Sequence, residues 1–293
     1  MTDLMLKTQT RLRTVKVPSN ILSIQAFLTY RCGFDCIDCT NNLVARKTPR
    51  IELSGRQWVE GLSRIDGNTP VTLRGGEPSE HPGFFEIMEA LPAHVPVKLV
   101  TNLHFDVAEL IGRVSPERMN AHPSWAPIRA IFHLGKSDPD DFLKKVMLLE
   151  EGGYRVGVLA MARPGREAEL RQRQRWFLNW GVDFRIRPFV GYINGKLVGN
   201  FRYPDATGQC DTRQAACRST ELMIAPDGRI YHCRRDCFGE NRALGHLLDN
   251  DLTITARHSP CANFGVCHPC DVELRPTIFG GNQRTAVEIL PLD

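Results

Sequence analysis

Residues 30–39 read Tyr30-Arg31-Cys32-Gly33-Phe34-Asp35-Cys36-Ile37-Asp38-Cys39, a C-x3-C-x2-C run directly after an apolar segment over 21–29 that reads as a strand. Three thiolates so closely spaced can converge on one metal centre. Three is one fewer than a four-iron cluster normally takes. The missing ligand leaves one metal position open, which a catalytic centre needs and a structural one does not. Gly33 suits a loop that wraps around such a centre.

The rest of the composition sets the chemical context. The chain has 293 residues, 42% hydrophobic and 24% charged, which is ordinary globular usage and excludes disordered and fibrous classes. Its 37 basic and 33 acidic side chains leave a net charge of +4, which makes no case for nucleic acid or an anionic membrane as partner. Arginine supplies 29 of the 37 cations. Its planar fork suits carboxylates and phosphates, although genome composition explains such a bias equally well. No apolar run approaches the roughly 20 residues of a membrane span, and residues 1–20 hold no apolar core of signal-peptide length. The expected location is therefore the cytoplasm, where thiols stay reduced. Ten cysteines there read as ligands rather than as disulfide partners.

The cysteines fall into two groups. After Cys32, Cys36 and Cys39 none occurs until Cys210, and then follow Cys217, Cys233, Cys237, Cys261, Cys267 and Cys270. The intervening stretch alternates strands and helices. Strands are expected over 21–29, 70–73, 95–100, 128–134, 154–161 and 183–190, and helices over 54–64, 83–91, 139–150 and 167–179, with Asp138 capping the third. Such alternation implies parallel pairing with right-handed crossovers. Six units without a seventh and eighth predict an α/β fold, a partial (β/α)6 TIM-like barrel. The texture turns Gly-, Asn- and Pro-rich over 191–208, which places a boundary near Tyr203. The expected organisation is an N-terminal extension over 1–20, the barrel over 21–203 and a small domain over 204–293. That domain opens with a hairpin over 222–231, turned at Asp227-Gly228.

The second strand runs into Arg74-Gly75-Gly76-Glu77-Pro78. A C-x3-C-x2-C loop after the first strand and Gly-Gly-Glu-Pro after the second resemble the radical S-adenosylmethionine (SAM) superfamily. That resemblance implies a [4Fe–4S] cluster held by Cys32, Cys36 and Cys39, whose open iron binds SAM. The cluster's electron then cleaves SAM to methionine and a 5′-deoxyadenosyl radical. It also implies that Gly75, Gly76 and Glu77 lie against the methionine moiety, and that a flavodoxin or ferredoxin supplies the electron. Asp38 stands where the family usually has an aromatic or apolar residue against adenine, with Phe34 and Ile37 nearby. Strand ends on the cluster side should carry polar contacts to SAM. Asn102, His133, Ser137 and Arg163 hold those positions. Each also reads as a merely polar residue at a loop entry.

The C-terminal cysteines are similar to the auxiliary-cluster domains called SPASM and Twitch. Cys217 and Cys233 frame the hairpin as C-x10-G-x4-C, and Cys267-His268-Pro269-Cys270 offers two more thiolates. Cys217, Cys233, Cys267 and Cys270 are the expected ligands of at least one auxiliary [4Fe–4S] cluster. Cys210, Cys237 and Cys261, with His258, keep a second cluster open. Cys237 or Cys261 could instead donate hydrogen to a substrate radical, or be an inert thiol. The resemblance implies removal of hydrogen from a C–H bond of a small polar substrate, as dehydrogenase or epimerase, in the manner of Twitch enzymes that act on aminoglycoside precursors. The alternatives are maturation of a ribosomal peptide and modification of a nucleoside or DNA base. An iron–sulfur electron carrier is the non-enzymatic alternative. Specificity is expected in side chains such as Arg187, Tyr192 and Asn194; oligomeric state is not read from the sequence.

Overall fold

The computed structural model describes residues 12–36, 39, 51–121, 126–209, 211–275 and 284–292. Ile37, Asp38 and Cys210 lie outside the described residues. Strand β1 (Ser23–Phe27) leads through the cysteine loop to helix α1 (Gly55–Ser63), and β2 (Val71–Arg74) leads to α2 (Phe84–Ala90). Strand β3 (Val97–Thr101) precedes α3 (Val107–Arg113) and a short helix at Pro116–Asn120. Strand β4 (Ile128–Ile131) precedes α4 (Pro139–Glu151), and β5 (Val156–Ala162) precedes α5 (Glu167–Asn179) and β6 (Phe184–Pro188).

Neighbours from β1 to β6 pair in parallel and in chain order. These are the expected six parallel strands, with helices after the first five. The local reasons are visible in the sequence. Ser54 and Gln57 form a capping box at the start of α1, and Asp138 accepts the Asp141 amide at the start of α4. Along each strand, alternate residues such as Ile24, Leu73, Leu99, Ile128, Val158 and Phe184 enter one continuous core with the helices. The short helices at 107–113 and 116–120 fall in a stretch where no periodic signal is evident. They are too brief to show amphipathic repeats, and side-chain caps from Asp106 and Ser115 fix them instead.

The later elements are β7 (Arg213–Ser219), β8 (Glu221–Ile224), β9 (Arg229–Tyr231), helix α6 (Arg234–Gly239), β10 (Gly245–His246), β11 (Ser259–Phe264) and β12 (Val287–Pro291). Strands β8 and β9 form the expected hairpin at Asp227-Gly228, with Met223 opposite Tyr231. The hairpin is not a free-standing arm. Strand β8 lies parallel to β1, with Glu221 opposite Ser23, so one nine-stranded sheet runs β10-β9-β8-β1-β2-β3-β4-β5-β6. The apolar run Leu222-Met223-Ile224 is buried throughout, which only a covered strand accommodates. The sheet's edges, β10 and β6, do not pair with each other, so the barrel is open. A separate antiparallel sheet, β11-β7-β12, carries two of the C-terminal cysteines.

Among the described residues no helix is long and apolar enough to cross a membrane.

Candidate functional site

Parallel strands present their C-terminal ends at one edge, where the loops of an α/β fold gather polar groups. At that edge the cysteine loop is clamped by the glycine motif. The Gly76 amide donates to the Thr29 carbonyl (2.9 Å) and the Glu77 amide to that of Arg31 (2.7 Å). A Cβ on Gly75 would stand 2.1 Å from the Thr29 oxygen, and one on Gly76 2.0 Å from the Arg31 oxygen. Only glycine allows the two backbones to approach this closely. The Gly33 amide donates to Glu80, which ties the far side of the loop to the same segment.

Glu77 faces inward. Its carboxylate accepts the Thr101 hydroxyl (2.7 Å), the Asn102 amide (2.7 Å) and the Ser79 hydroxyl (2.8 Å). Burial raises its pKa, and these hydrogen bonds oppose the rise. The side chain therefore fastens the end of β3 to the glycine motif, while the motif's backbone lies beside residues 29–31. Asn102 is held with its Nδ2 3.8 Å from the Cys32 Sγ. His133, just past β4, has Nδ1 3.6 Å from the Cys36 Sγ, and burial pulls its pKa down to about 4. The Ser137 hydroxyl accepts the His133 amide (3.0 Å). Phe34 stands edge-on between His104 and His133, with ring centroids 5.5 and 5.4 Å away.

Of the polar residues expected at this edge, Asn102 and His133 thus meet cysteines directly. Ser137 acts on His133. Arg163 follows β5, half-buried, and its carbonyl accepts the Arg166 amide (3.0 Å). Cys32, Cys36 and Cys39 are partly exposed and form no disulfide among the described residues. Among the described residues, no three His, Cys, Asp or Glu side chains gather closely enough to hold a single metal ion. The donor set here is three thiols with neutral Asn and His beside them, which is the chemistry of a thiolate-held iron–sulfur cluster rather than of a hard cation.

The second cysteine group is assembled from four segments, two strands, a helix cap and the 267–270 loop. Cys217 on β7 and Cys261 on β11 are diagonal neighbours across the ladder, since Ala215 pairs with Cys261 and Cys217 with Ser259. The interaction between these two thiols raises the pKa of Cys217 and lowers that of Cys261. Arg242 Nη2 (3.3 Å) and the Asn263 amide (3.4 Å) also donate to Cys261. Cys233 caps α6, its sulfur accepting the Asp236 amide at 3.5 Å. Cys217, Cys233 and Cys267 lie within electrostatic range of one another.

Cys270 answers chiefly to other groups. Burial would raise its pKa, but a hydrogen bond to His268 and the Arg234 charge bring it down to about 7. Of the expected quartet, Cys217, Cys233 and Cys267 thus lie near one another with Cys261 beside them, while Cys270 is set among His268 and Arg234. The His258 Nε2, just before β11, is buried without a hydrogen-bond partner among the described residues. Cys237 is fully buried with Phe27, Tyr30, Met223, Tyr231 and Phe238, and burial pushes its thiol up to about 12. A buried ion network fixes this region onto the sheet. Glu221 grips Arg275 and stands 3.5 Å from Arg234, Asp271 holds Arg234 at 3.2 Å, and Glu273 pairs with Arg187.

Several working residues carry no motif. Glu80, Arg242, Asn263 and Asp271 matter through contacts distant in sequence. Of the expected specificity residues, Arg187 is engaged by Glu273. The Tyr192 hydroxyl lies 3.5 Å from that of Thr207, and Asn194 turns a small hairpin at φ 50°.

No family model matches the chain, and no curated protein does. Solved structures do. The structure of anSMEcpe with bound AdoMet and Cp18Cys peptide aligns with a TM-score of 0.51 at 15% identity, over 78% of this chain and 77% of that one. A histidine-tagged form of anSMEcpe with bound AdoMet gives 0.51 at 14%, over 78% of each chain. Streptococcus suis SuiB bound to precursor peptide SuiA aligns over 79% of this chain at 12% identity with a TM-score of 0.49, and the chain spans 63% of SuiB's length. The anSMEcpe structures are radical SAM enzymes, and the chain shares their fold, an open, partial TIM-like barrel.

Proposed function

We propose that the protein is a radical SAM enzyme. The carrying observation is the clamped loop. Cys32, Cys36 and Cys39 project from one end of the parallel sheet, Gly75-Gly76-Glu77 lies against the backbone before Cys32, and Asn102 and His133 touch Cys32 and Cys36. In this reading the three thiolates hold a [4Fe–4S] cluster, which would supply the electron that cleaves SAM to methionine and a 5′-deoxyadenosyl radical. The backbone of Gly75 and Gly76 receives the methionine end of SAM, and Glu77 keeps that backbone in place. Asn102, His133, Ser137 and Arg163 form the polar rim on the same side. A flavodoxin or ferredoxin serves as external donor, in a reducing cytoplasm.

The C-terminal segment, 204–293, is assigned as the auxiliary domain beside a barrel over 21–203. It holds at least one auxiliary [4Fe–4S] cluster on thiolates drawn from Cys217, Cys233, Cys261, Cys267 and Cys270. The buried position of Cys237 supports a packing role for it, and the place of Cys261 diagonally across the ladder from Cys217 supports a ligand role for Cys261 over hydrogen donation. The reaction is removal of hydrogen from a substrate C–H bond, completed as dehydrogenation or epimerisation of a small polar molecule. Peptide maturation is the second reading, favoured by the peptide bound in anSMEcpe.

The test is anaerobic reconstitution followed by incubation with SAM and dithionite. Formation of 5′-deoxyadenosine, lost in Cys36→Ala, is expected. No 5′-deoxyadenosine from wild-type protein bearing its iron would overturn the reading and leave an electron carrier. About eight irons per chain supports one auxiliary cluster and about twelve supports two.

A further inference from the structure

We propose that the inner face of the sheet, between the two cysteine sites, binds an anionic group of the substrate, a carboxylate or a phosphate. The inference rests on the enzymatic reading above and narrows its substrate class.

Strand alternation places the cations. Leu73, Val97, Leu99, Ile128, Ala130 and Phe184 enter the core with the helices. Their neighbours Arg74 on β2, Lys98 on β3, Arg129 on β4 and Arg187 on β6 therefore face the other way, toward the C-terminal segment. That segment adds Arg234 and Arg275 from its own side, both in contact with Glu221 of β8.

Among the described residues the carboxylates on this face are fewer than the cations, and they are already engaged. Glu221 holds Arg275 and Arg234, Asp271 holds Arg234, and Glu273 holds Arg187. The Cys270 thiol is met by His268 and Arg234. No carboxylate is left for Arg74. Its Nη1 donates to the neutral Gln25 amide oxygen (3.2 Å), its guanidinium covers the Phe27 ring at 5.2 Å, and its Nε is buried without a hydrogen-bond partner among the described residues. Lys98 makes no hydrogen bond or ion pair among the described residues. It lies within electrostatic range of Arg129 and Arg284, with Glu221 as the carboxylate they share.

Gathering like charges in a partly desolvated space is costly unless something of opposite charge enters it. Burial first, and neighbouring arginines after it, bring Lys98 down to about 8 and Arg74 to about 10. An anion between Arg74 and Lys98 would relieve both. Arg74 directly precedes Gly75-Gly76, so an anchored substrate would reach toward the first cysteine loop. The same field repels polycations, which disfavours an aminoglycoside.

The test is isothermal titration of the anaerobically reconstituted protein with inorganic phosphate and, separately, with glutarate, in chloride buffer at fixed ionic strength. One saturable site is expected, and the tighter of the two probes names the anion class. Affinity should fall about tenfold in Lys98→Met and be kept in Lys98→Arg, as for loss of one charge-assisted hydrogen bond. No saturable binding, or equal affinity in Lys98→Met, overturns the proposal. A footprint on the wild type guards against a misfolded variant: acetylation of Lys98 at pH 8, followed by mass spectrometry, should slow with the bound anion, and an unchanged rate counts against the site. Competition by SAM for the same site would assign the anion to SAM's own carboxylate and overturn a substrate role. The 5′-deoxyadenosine assay on the same preparation separates the two failures. Anion binding without SAM cleavage sinks the enzymatic reading, and cleavage without anion binding sinks this site alone.

Discussion

The two cysteine groups are built in opposite ways. The first lies within residues 32–39 on a single loop, half-exposed, and is kept in place by backbone contacts to Gly76 and Glu77. The second draws on residues from 217 to 270 across two strands, a helix cap and a loop, and is fixed by a buried ion network. A loop with three thiols leaves room for an incoming ligand. A site enclosed by four or five thiols does not. In the proposed reading this is the difference between a reactive centre and an enclosed one.

That contrast is most sharply tested by removing one thiolate from each. Cys36→Ala should lower iron by about four per chain and bring 5′-deoxyadenosine to background. Cys267→Ala should lower iron by a similar amount yet leave slow SAM cleavage without product. Iron analysis and chromatography read both. If Cys267→Ala abolishes cleavage while the first site keeps its iron, the division of labour is wrong.

Next in size is the network under the second site. Glu221 is 1% exposed, and although burial alone would raise its pKa, Arg275 and Arg234 hold it well below the usual carboxylate range. Glu221→Gln leaves both arginines facing a neutral amide. Breaking a buried pair from one side costs about 3–5 kcal/mol. Thermal denaturation should show the loss, with second-site iron released at lower temperature than first-site iron. Equal lability of the two would mean that the network does not belong to the second site. Within that site, Cys261→Ala should remove iron while Cys237→Ala leaves it intact; the reverse pattern would exchange their roles.

A smaller effect is expected at the clamp of the first site. Gly76→Ala must push its new methyl group away from the Arg31 carbonyl, and overpacking of this kind costs about 1–3 kcal/mol. The melting temperature should drop by about 2–4 °C per kcal/mol, and half-saturation by SAM should rise while second-site iron stays constant. Unchanged SAM saturation would detach the glycine motif from the cofactor.

How much of this was legible in the sequence follows from contact range. The six parallel strands, the hairpin at Asp227-Gly228 and the first cysteine loop are written in local pattern, and each stands where expected. The pairing of β8 with β1 was not, because a buried apolar strand looks the same whichever sheet receives it. Cys261 beside Cys217 depends on the register of β7 with β11, which no spacing encodes. Glu77 reads as a cofactor contact by position, yet its carboxylate turns to Thr101 and Asn102. Lys98 and Arg129 could have been noticed, since each interrupts an otherwise apolar strand, in Val-Lys-Leu-Val-Thr and Ile-Arg-Ala-Ile.

Lys98 also supplies the subtlest test, because it lies between the two regions and its charge is a burden without a ligand. Burial first, and then Arg129 and Arg284, bring its pKa down to about 8 from 10.5. In the window between those values the unfolded chain binds more protons than the folded one, so stability rises with pH across it. Below pH 8 the full penalty applies; above 10.5 it is gone. Lys98→Met removes the penalty at every pH. Its melting temperature should exceed that of the wild type by a few degrees at pH 7, and the gap should narrow steadily toward pH 10. Saturating phosphate should close the gap at pH 7 as well, by giving the ammonium a counter-charge that methionine cannot use. A gap that ignores both pH and phosphate would mean that Lys98 is simply a poor fit in its strand.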